Sequence, residues 1–598
     1  MELQKYSVNQ HLIDTVLVWV KSGEIAIPEI QRPFVWNATK VRNLMDSLYQ
    51  GYPIGYLISW RNPSIRLKDG SSSEGKKILI DGQQRVASMA AAILGNKIID
   101  QDYRKKRIQI AFHPLKERFE VFNPAIAKDV SWLPDIALVI QGNISLLKLI
   151  RDYCEKNPNA NEEKIGEVLQ KLQGMIKKQI GLIELSGDLD IETVTEIFVR
   201  INSQGVVLSQ ADFAMSKIAS NDQYGGPELR KCIDYFCHLA VAPDFYGRMS
   251  EVDNQFVHGE FYSHLGWLKN ENDDLYDPDY KDVLRVSFVS EFGRGRIADL
   301  VGLLSGRNFE TRTYEEEIAE DTFLRLKQSV VRFINETNFK RFLMIIKSTG
   351  FIDKRMIRSG NALNFAYIVY LKLKSLDYSS EKIERFVRRW FVLSILTGRY
   401  SGSPESQMDF DIKKISEESI EKYLEDVETA DLSEAFWSAS LVQSLNTSIS
   451  TSPYFNVYLA AQVKDKDKGF LSREITVNDL ISHRGDIHHL FPRDFLKKNG
   501  KKRGEYNQIA NYVYMQSETN IKIGNKKPKE YFSTILEQIK NNNMLYGAIT
   551  DKEELLNNLK QNCIPEMILE SELSDYETFL VERRKLMAKK IKKYYQSL

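Results

Sequence analysis

Two adjacent imidazoles near the end of the chain carry the types and spacing best suited to chemistry. Of eight histidines in 598 residues, three (His483, His488 and His489) fall within seven positions. In the run Asp486-Ile487-His488-His489-Leu490-Phe491-Pro492, one imidazole can hold a divalent metal while its neighbour takes a proton. That pairing suits metal-assisted hydrolysis of a phosphodiester. Asn511 and Asn520 follow; one amide can orient the base and the other can complete a metal site. Residues 481–530 hold eleven Lys and Arg against five acids, a local +6 inside a chain whose total is +1. A phosphate-binding surface needs such a local field. The near-neutral whole excludes a uniformly basic coat, so contact with nucleic acid is confined to patches. Taken alone, the cluster at 497–503 reads equally well as a solvated loop.

A second constellation lies near the N-terminus. Lys77-Ile-Leu-Ile80 reads as a short buried strand that runs into Asp81-Gly82-Gln83-Gln84-Arg85, then into a helix over Val86–Leu94 stopped by Gly95. A strand that turns into a helix offers unpaired N–H groups and a partial positive charge to a phosphate. Gly82 permits the tight turn. Arg85 can fork onto phosphate oxygens, and Asp81 can hold a metal or position water. Asp-Gly at a strand end is, by itself, often only a turn.

Two further segments widen this pattern: Ile27-Pro-Glu-Ile-Gln31-Arg32-Pro-Phe-Val-Trp36 upstream and Phe198-Val-Arg200-Ile-Asn202-Ser-Gln-Gly205 downstream. With Asp81–Arg85 they resemble the N-terminal domain of GmrSD-type, modification-dependent (type IV) restriction endonucleases, whose relatives include BrxU-like and SspE-like proteins. The resemblance implies a ParB/sulfiredoxin-like α/β domain that binds and hydrolyses an NTP, GTP or ATP. It puts Asp81 and Arg85 in catalysis, with Arg32, Gln83, Gln84, Arg200 and Asn202 around the nucleotide. Arg399-Tyr400-Ser-Gly-Ser403 is similar to the same family. The order His488-His489, Asn511, Asn520 resembles the HNH (ββα-metal) half of these enzymes. That likeness makes His489 the base and Asn511 its orienter, with His488 and Asn520 holding Mg²⁺ or Mn²⁺. Relatives often carry an acid where His488 stands; either side chain binds a metal, which leaves the metal preference open.

The elements that must position these residues read as mixed α/β, predominantly helical, and the length calls for two to four domains. Residues 1–225 read as the ParB/sulfiredoxin-like nucleotide-binding domain and 226–430 as a helical region completing the N-terminal module. Residues 431–598 read as the HNH nuclease domain, with a basic helix (Arg583, Arg584, Lys585, Lys589, Lys590, Lys592, Lys593) closing it. Within them, Asn37 caps a helix whose Val41, Leu44, Met45 and Leu48 share one face and Gly51 ends it, and Tyr56–Trp60 reads as a strand. Helices are expected over 162–181 and 191–201, with a capping box at Ser209-Gln-Ala-Asp212 opening another. Residues 365–398 read as two packed helices with Trp390 in the core. His113, His238, His258 and His264 have no metal-type spacing and read as structural. Four scattered cysteines (Cys154, Cys232, Cys237, Cys563) fit a reducing cytoplasm without disulfides. No apolar run of membrane-spanning length occurs.

The combined reading is an NTP-regulated, metal-dependent endonuclease of prokaryotic anti-phage defence. Its partner is double-stranded DNA, modified or foreign, and self-association is left open. The rival from another class is a nucleotide-switched sensor of DNA modification, such as phosphorothioate, whose HNH half binds without cutting.

Overall fold

The computed structural model describes residues 5–22, 24–26, 37–60, 77–99, 105–142, 144–186, 189, 193, 197, 210–219, 221, 223–271, 273–483, 485–541 and 543–598. The chain divides into two compact units, Met1–Tyr262 and Ser263–Leu598. Helices predominate in both, and the larger sheet belongs to the first.

In the first unit β1 (Tyr6–Leu12) leads into α1 (Ile13–Ser22), followed by β2 (Ile25–Ala26), α2 (Ala38–Gln50), β3 (Tyr56–Trp60), β4 (Lys77–Asp81) and α3 (Gln83–Ile93). Two small ladders, β5 (Lys97–Ile99) with β6 (Lys105–Arg107) and β7 (Ile110–His113) with β8 (Arg118–Val121), precede β9 (Gln179–Leu185). The main sheet has the order β1-β9-β3-β4-β2. It is mixed: β9 runs antiparallel to β1 and parallel to β3, whereas β4 runs antiparallel to β3 and parallel to β2.

The local signals for α2 act as read. The Asn37 side chain accepts from Lys40 N at 2.9 Å, and Gly51 at φ +76° ends the helix, because a left-handed residue is needed to close the last turn. Val41, Leu44, Met45 and Leu48 are buried. They join α1, α3, Leu57, Leu79 and Leu182 in the main core of this unit. Each such side chain contributes roughly 1.5–3 kcal/mol when removed from water. Ile58, Trp60 and Leu185 form a smaller cluster.

The segment 162–181 departs from expectation. Its helix ends at Gln173, a 3₁₀ turn spans Gly174–Lys177, and Gln179 opens β9 in the middle of the sheet. Burial at Ile180 and Leu182 follows the two-residue period of a strand. Gly181 makes room for Tyr56 of the neighbouring strand; a Cβ there would lie 2.4 Å from the ring's Cδ1. Of the expected helix over 191–201 only Thr193 and Ile197 are described, both helical; the capping residue Ser209 lies outside the described residues, and the helix Gln210–Ala219 is present.

The second unit begins as a helical array. Helices α4 (Gly360–Ser375) and α5 (Ser380–Thr397) account for the packed pair expected over 365–398, with Trp390 fully buried. Trp390 Nε1 donates to Tyr400 Oη at 3.0 Å, and Tyr400 donates to Asp411 at 2.7 Å. Arg399 forks onto the same carboxylate at 2.7 and 2.9 Å. The Arg399-Tyr400 pair is therefore committed to a buried network that ties α5 to the following helix.

Within this unit, hydrogen bonds join residues on both sides of position 431. In α6 (Pro453–Lys464) the Asn456 amide donates to Met356 O at 2.9 Å, and Tyr458 donates to Asn562 O at 3.0 Å. From the closing helix, Tyr594 bonds Thr349 O and Tyr595 bonds Glu428. The helix Gly226–Val241 belongs to the first unit.

Candidate nuclease centre and N-terminal phosphate cradle

The His-His pair lies on β10 (Asp486–His489), which pairs antiparallel with β11 (Tyr512–Met515); α7 (Ser517–Ile523) follows. The two strands are short, and His489 sits directly opposite Tyr512. Consecutive strand residues face opposite sides, so the two imidazoles occupy different surroundings. His488 is 3% exposed, stacked beside Phe470 with Tyr531 edge-on. His489 is half-buried against the ring of Tyr512, centroids 4.9 Å apart.

Asn520, from α7, reaches His488: its Oδ1 is 2.7 Å from His488 Nδ1. The other end of the amide points to Asp486 Oδ2 at 3.4 Å. A carboxylate only accepts, so Asp486 turns the Asn520 nitrogen toward itself and the oxygen toward the imidazole. Burial is the main cause that pushes the His488 pKa down to about 4; the Asn520 bond opposes this, and His489 adds to it. His488 is thus neutral at ordinary pH, with a lone pair to share. Its Nε2 is buried without a hydrogen-bond partner.

The imidazole of His488 and the amide oxygen of Asn520 are donor types that a divalent ion accepts. The 2.7 Å contact between His488 Nδ1 and Asn520 Oδ1 is a hydrogen bond in which the imidazole N–H donates, so an ion held by these two atoms would have to replace that proton. Such an ion keeps several waters and takes oxygens from its substrate, so few protein ligands suffice. Among the described residues no three His, Cys, Asp or Glu side chains converge, so the donor set does not make a closed zinc-type site.

Asn511 is placed differently from the sequence expectation. Fully buried, it receives Phe491 N–H at Oδ1 (2.8 Å) and donates from Nδ2 to Phe491 O (2.9 Å) and Tyr506 O (3.3 Å). Its hydrogen bonds reach the backbone two residues beyond His489 and not the imidazole itself. The side chain on the His489 ring is Asn507, whose Oδ1 lies 3.1 Å from Nε2. Burial lowers the His489 pKa, Asn507 opposes the shift, and Arg493 adds to it. Nothing in the sequence marks Asn507, since it stands outside the motif spacing. His483 is exposed and turned to Asp479 O, four residues back on its own helix.

Of the basic residues around the motif, Lys501 pairs with Glu577, Lys527 and Lys529 approach Glu572, and Lys526 bonds Tyr546. Lys497, Lys498, Lys502 and Arg503 are exposed and form no ion pair among the described residues. The closing helix α8 (Tyr576–Gln596) spends most of its charge inside the unit: Lys590 on Asp465 and Asp467, Lys592 on Glu434, Lys585 on Glu582.

At the N-terminal site β4 delivers Asp81 to the start of α3, where Gly82 at φ +89° lacks a side-chain cap. A Cβ on Gly82 would lie 2.3 Å from Leu57 Cδ2, so only glycine fits. Arg85 Nη2 meets Asp81 Oδ2 at 2.7 Å, and Nη1 donates to Ile54 O at 3.0 Å. Gly55, at φ +87°, leaves space for that guanidinium; a Cβ there would be 2.4 Å from Nη1. Gln83 turns back onto Leu79 O at 2.7 Å, and Gln84 is half-buried in the same turn. Arg32, Arg200 and Asn202 lie outside the described residues, as do Gln31 and Trp36. In the same sheet Lys77 is buried, paired with Glu184 and 4.4 Å above the Trp19 ring.

Residues 16–219 match the family model described as the N-terminal domain of the GmrSD restriction endonuclease. The matched span lies within the first compact unit and contains the Asp81–Arg85 turn. The chain is also 23% identical to the uncharacterized protein MJ0686 of Methanocaldococcus jannaschii, an alignment that covers 95% of this chain and 96% of the relative. No described helix is long and apolar enough to cross a membrane.

Proposed function

We propose that this protein is a divalent-metal-dependent DNA endonuclease of a restriction-type defence system, whose cut is controlled by NTP binding in the N-terminal domain. One observation supports the reading most: Asp486, His488, His489, Asn507, Asn511 and Asn520 gather around the short antiparallel pair β10–β11 and the helix α7. The GmrSD-type N-terminal domain points the same way.

The chemistry follows from the ring environments. With Asn507 Oδ1 taking the Nε2 proton, the lone pair of His489 lies on Nδ1. That atom accepts a proton from the attacking water as the water oxygen bonds to phosphorus and the bond to the leaving sugar oxygen breaks. The lowered pKa keeps the ring neutral and ready for this step at ordinary pH. His488 and Asn520 would hold the divalent ion, which supplies charge stabilisation on the phosphate and its leaving oxygen. Asn511 keeps the backbone after His489 in register. Lys497, Lys498, Lys502 and Arg503 contact the DNA backbone, each through one or more phosphates.

At the other end, Asp81, Gln83, Gln84 and Arg85 receive the NTP phosphates, with Arg32, Arg200 and Asn202 completing the pocket. Binding there requires Arg85 to share its fork between Asp81 and the ligand. Modified DNA is the intended substrate, and a second binding event restrains an activity that would otherwise cut the host chromosome.

The test is cleavage of a panel of unmodified, base-modified and phosphorothioate DNAs, with Mg²⁺ or Mn²⁺ and each NTP, by wild type and His489→Ala. A loss of about 10²–10⁴ in rate is expected for His489→Ala with DNA binding retained. Turnover within a few-fold of wild type would remove His489 from the role of base.

A further inference from the structure

The chain's closing helix carries seven basic residues between positions 583 and 593, a composition that suggests a surface for nucleic acid. One of them behaves otherwise. Arg583 is 0% exposed, among the largest fully buried side chains of the protein. It forms no ion pair among the described residues. Its guanidinium instead donates to three carbonyls: Ala510 O at 2.8 Å, Tyr512 O at 2.7 Å and Asn562 O at 3.2 Å. A buried cation without a carboxylate is costly to keep, and an apolar side chain of similar size would serve a core better.

Its targets explain its presence. Ala510 and Tyr512 flank Asn511, the amide that grips both the N–H and the C=O of Phe491, two residues after His489. The same helix reaches this segment twice more. Tyr576 donates to Glu505 O at 2.7 Å, and the Phe491 ring packs on Tyr576 and Phe579 with centroids 5.0 and 5.2 Å away. Asn507, the partner of His489, lies between those anchor points in sequence. Held at 505, 510 and 512, the segment has little freedom to shift, so Asn507 and Tyr512 stay against the imidazole.

We infer that Arg583 and Tyr576 are positioning residues of the nuclease centre, by which the closing helix fixes the 505–512 segment and, through it, the His489 ring. This rests on the nuclease reading for its effect on turnover, but not for its effect on the segment itself.

The experiment compares full-length wild type with Arg583→Lys and Tyr576→Phe. The second keeps the ring and its packing and removes only one hydroxyl, so it serves if the first fails to fold. Melting temperature, kcat and KM for DNA cleavage, and hydrogen–deuterium exchange are measured on each. The expected result is a kcat at least about tenfold lower for Arg583→Lys and several-fold lower for Tyr576→Phe. KM for DNA stays unchanged, and amide exchange rises over 505–515 while the rest of the 263–598 unit keeps its protection. Wild-type kcat in a folded variant overturns the inference. So does activity that falls only in step with the unfolded fraction, or exchange that rises throughout the unit. If wild type itself does not cut DNA, the nuclease reading fails, and the exchange arm still decides whether the helix holds the segment.

Discussion

Replacing Asn511 with alanine separates two ways an asparagine can serve a base. If Asn511 acted on the imidazole directly, its loss would cost turnover and little stability. The structure puts its three hydrogen bonds on backbone instead, at 2.8, 2.9 and 3.3 Å, in a fully buried position. Alanine leaves Phe491 N–H, Phe491 O and Tyr506 O without this partner. Each such loss costs about 1–3 kcal/mol; taking the lower end, because carbonyls tolerate under-satisfaction better, gives about 3 kcal/mol in total. With an unfolding entropy near 2.1 cal/mol/K per residue, a unit of this size changes by about 0.7 kcal/mol per degree, so its melting temperature should drop by about 4 °C. Asn511→Asp should be no better, since the second carboxylate oxygen would face two carbonyl oxygens. Asn507→Ala is the contrast: one 3.1 Å bond at a half-buried position puts its stability cost within about 1 kcal/mol, while its turnover falls because the ring is freed. The assays are differential scanning calorimetry and single-turnover cleavage on the same preparations. An Asn511→Ala protein that melts within about 1 °C of wild type while losing its activity would refute the backbone-clamp account.

Cleavage should stop in chelator; His488→Ala should raise the divalent-ion concentration needed by at least about tenfold, and His488→Asp should recover much of that loss. Full activity in chelator would end the metal assignment. Arg85→Ala should abolish NTP binding measured by calorimetry, and Gly55→Ala should weaken it without replacing any phosphate-facing side chain, because the added Cβ displaces the Arg85 guanidinium. Wild-type affinity in Gly55→Ala would show that the Arg85 placement is irrelevant. Arg85→Ala should also change DNA cleavage by about 5–150-fold, and trigger DNA should reciprocally change NTP affinity; if neither arm moves, the two activities are independent.

Local rules made parts of this molecule legible in advance. Asn37 and Gly51 bracket α2 because a cap and a left-handed glycine are needed at fixed ends of a helix. The Asp81-Gly82 turn into α3 was readable because strand, glycine and helix follow one another without a break from Lys77 to Ile93. His488 and Asn520 stand 32 residues apart, with two short helices between the strands that carry the site, and their approach comes from the pairing of β10 with β11 and the helix that follows. The helix Glu162–Gln173 shortly before it hid β9, whose short two-residue period is completed by pairing with β1 and β3. Tertiary structure alone decided the rest. It turned His488 and His489 into different surroundings, put Asn511 on backbone and Asn507 on the ring, and buried Arg583 beneath them. Each of these choices depends on which atoms lie across a gap from one another. A contact between positions 583 and 510, or between 85 and 54, leaves no trace in periodicity or spacing, because folding joins what the chain keeps apart.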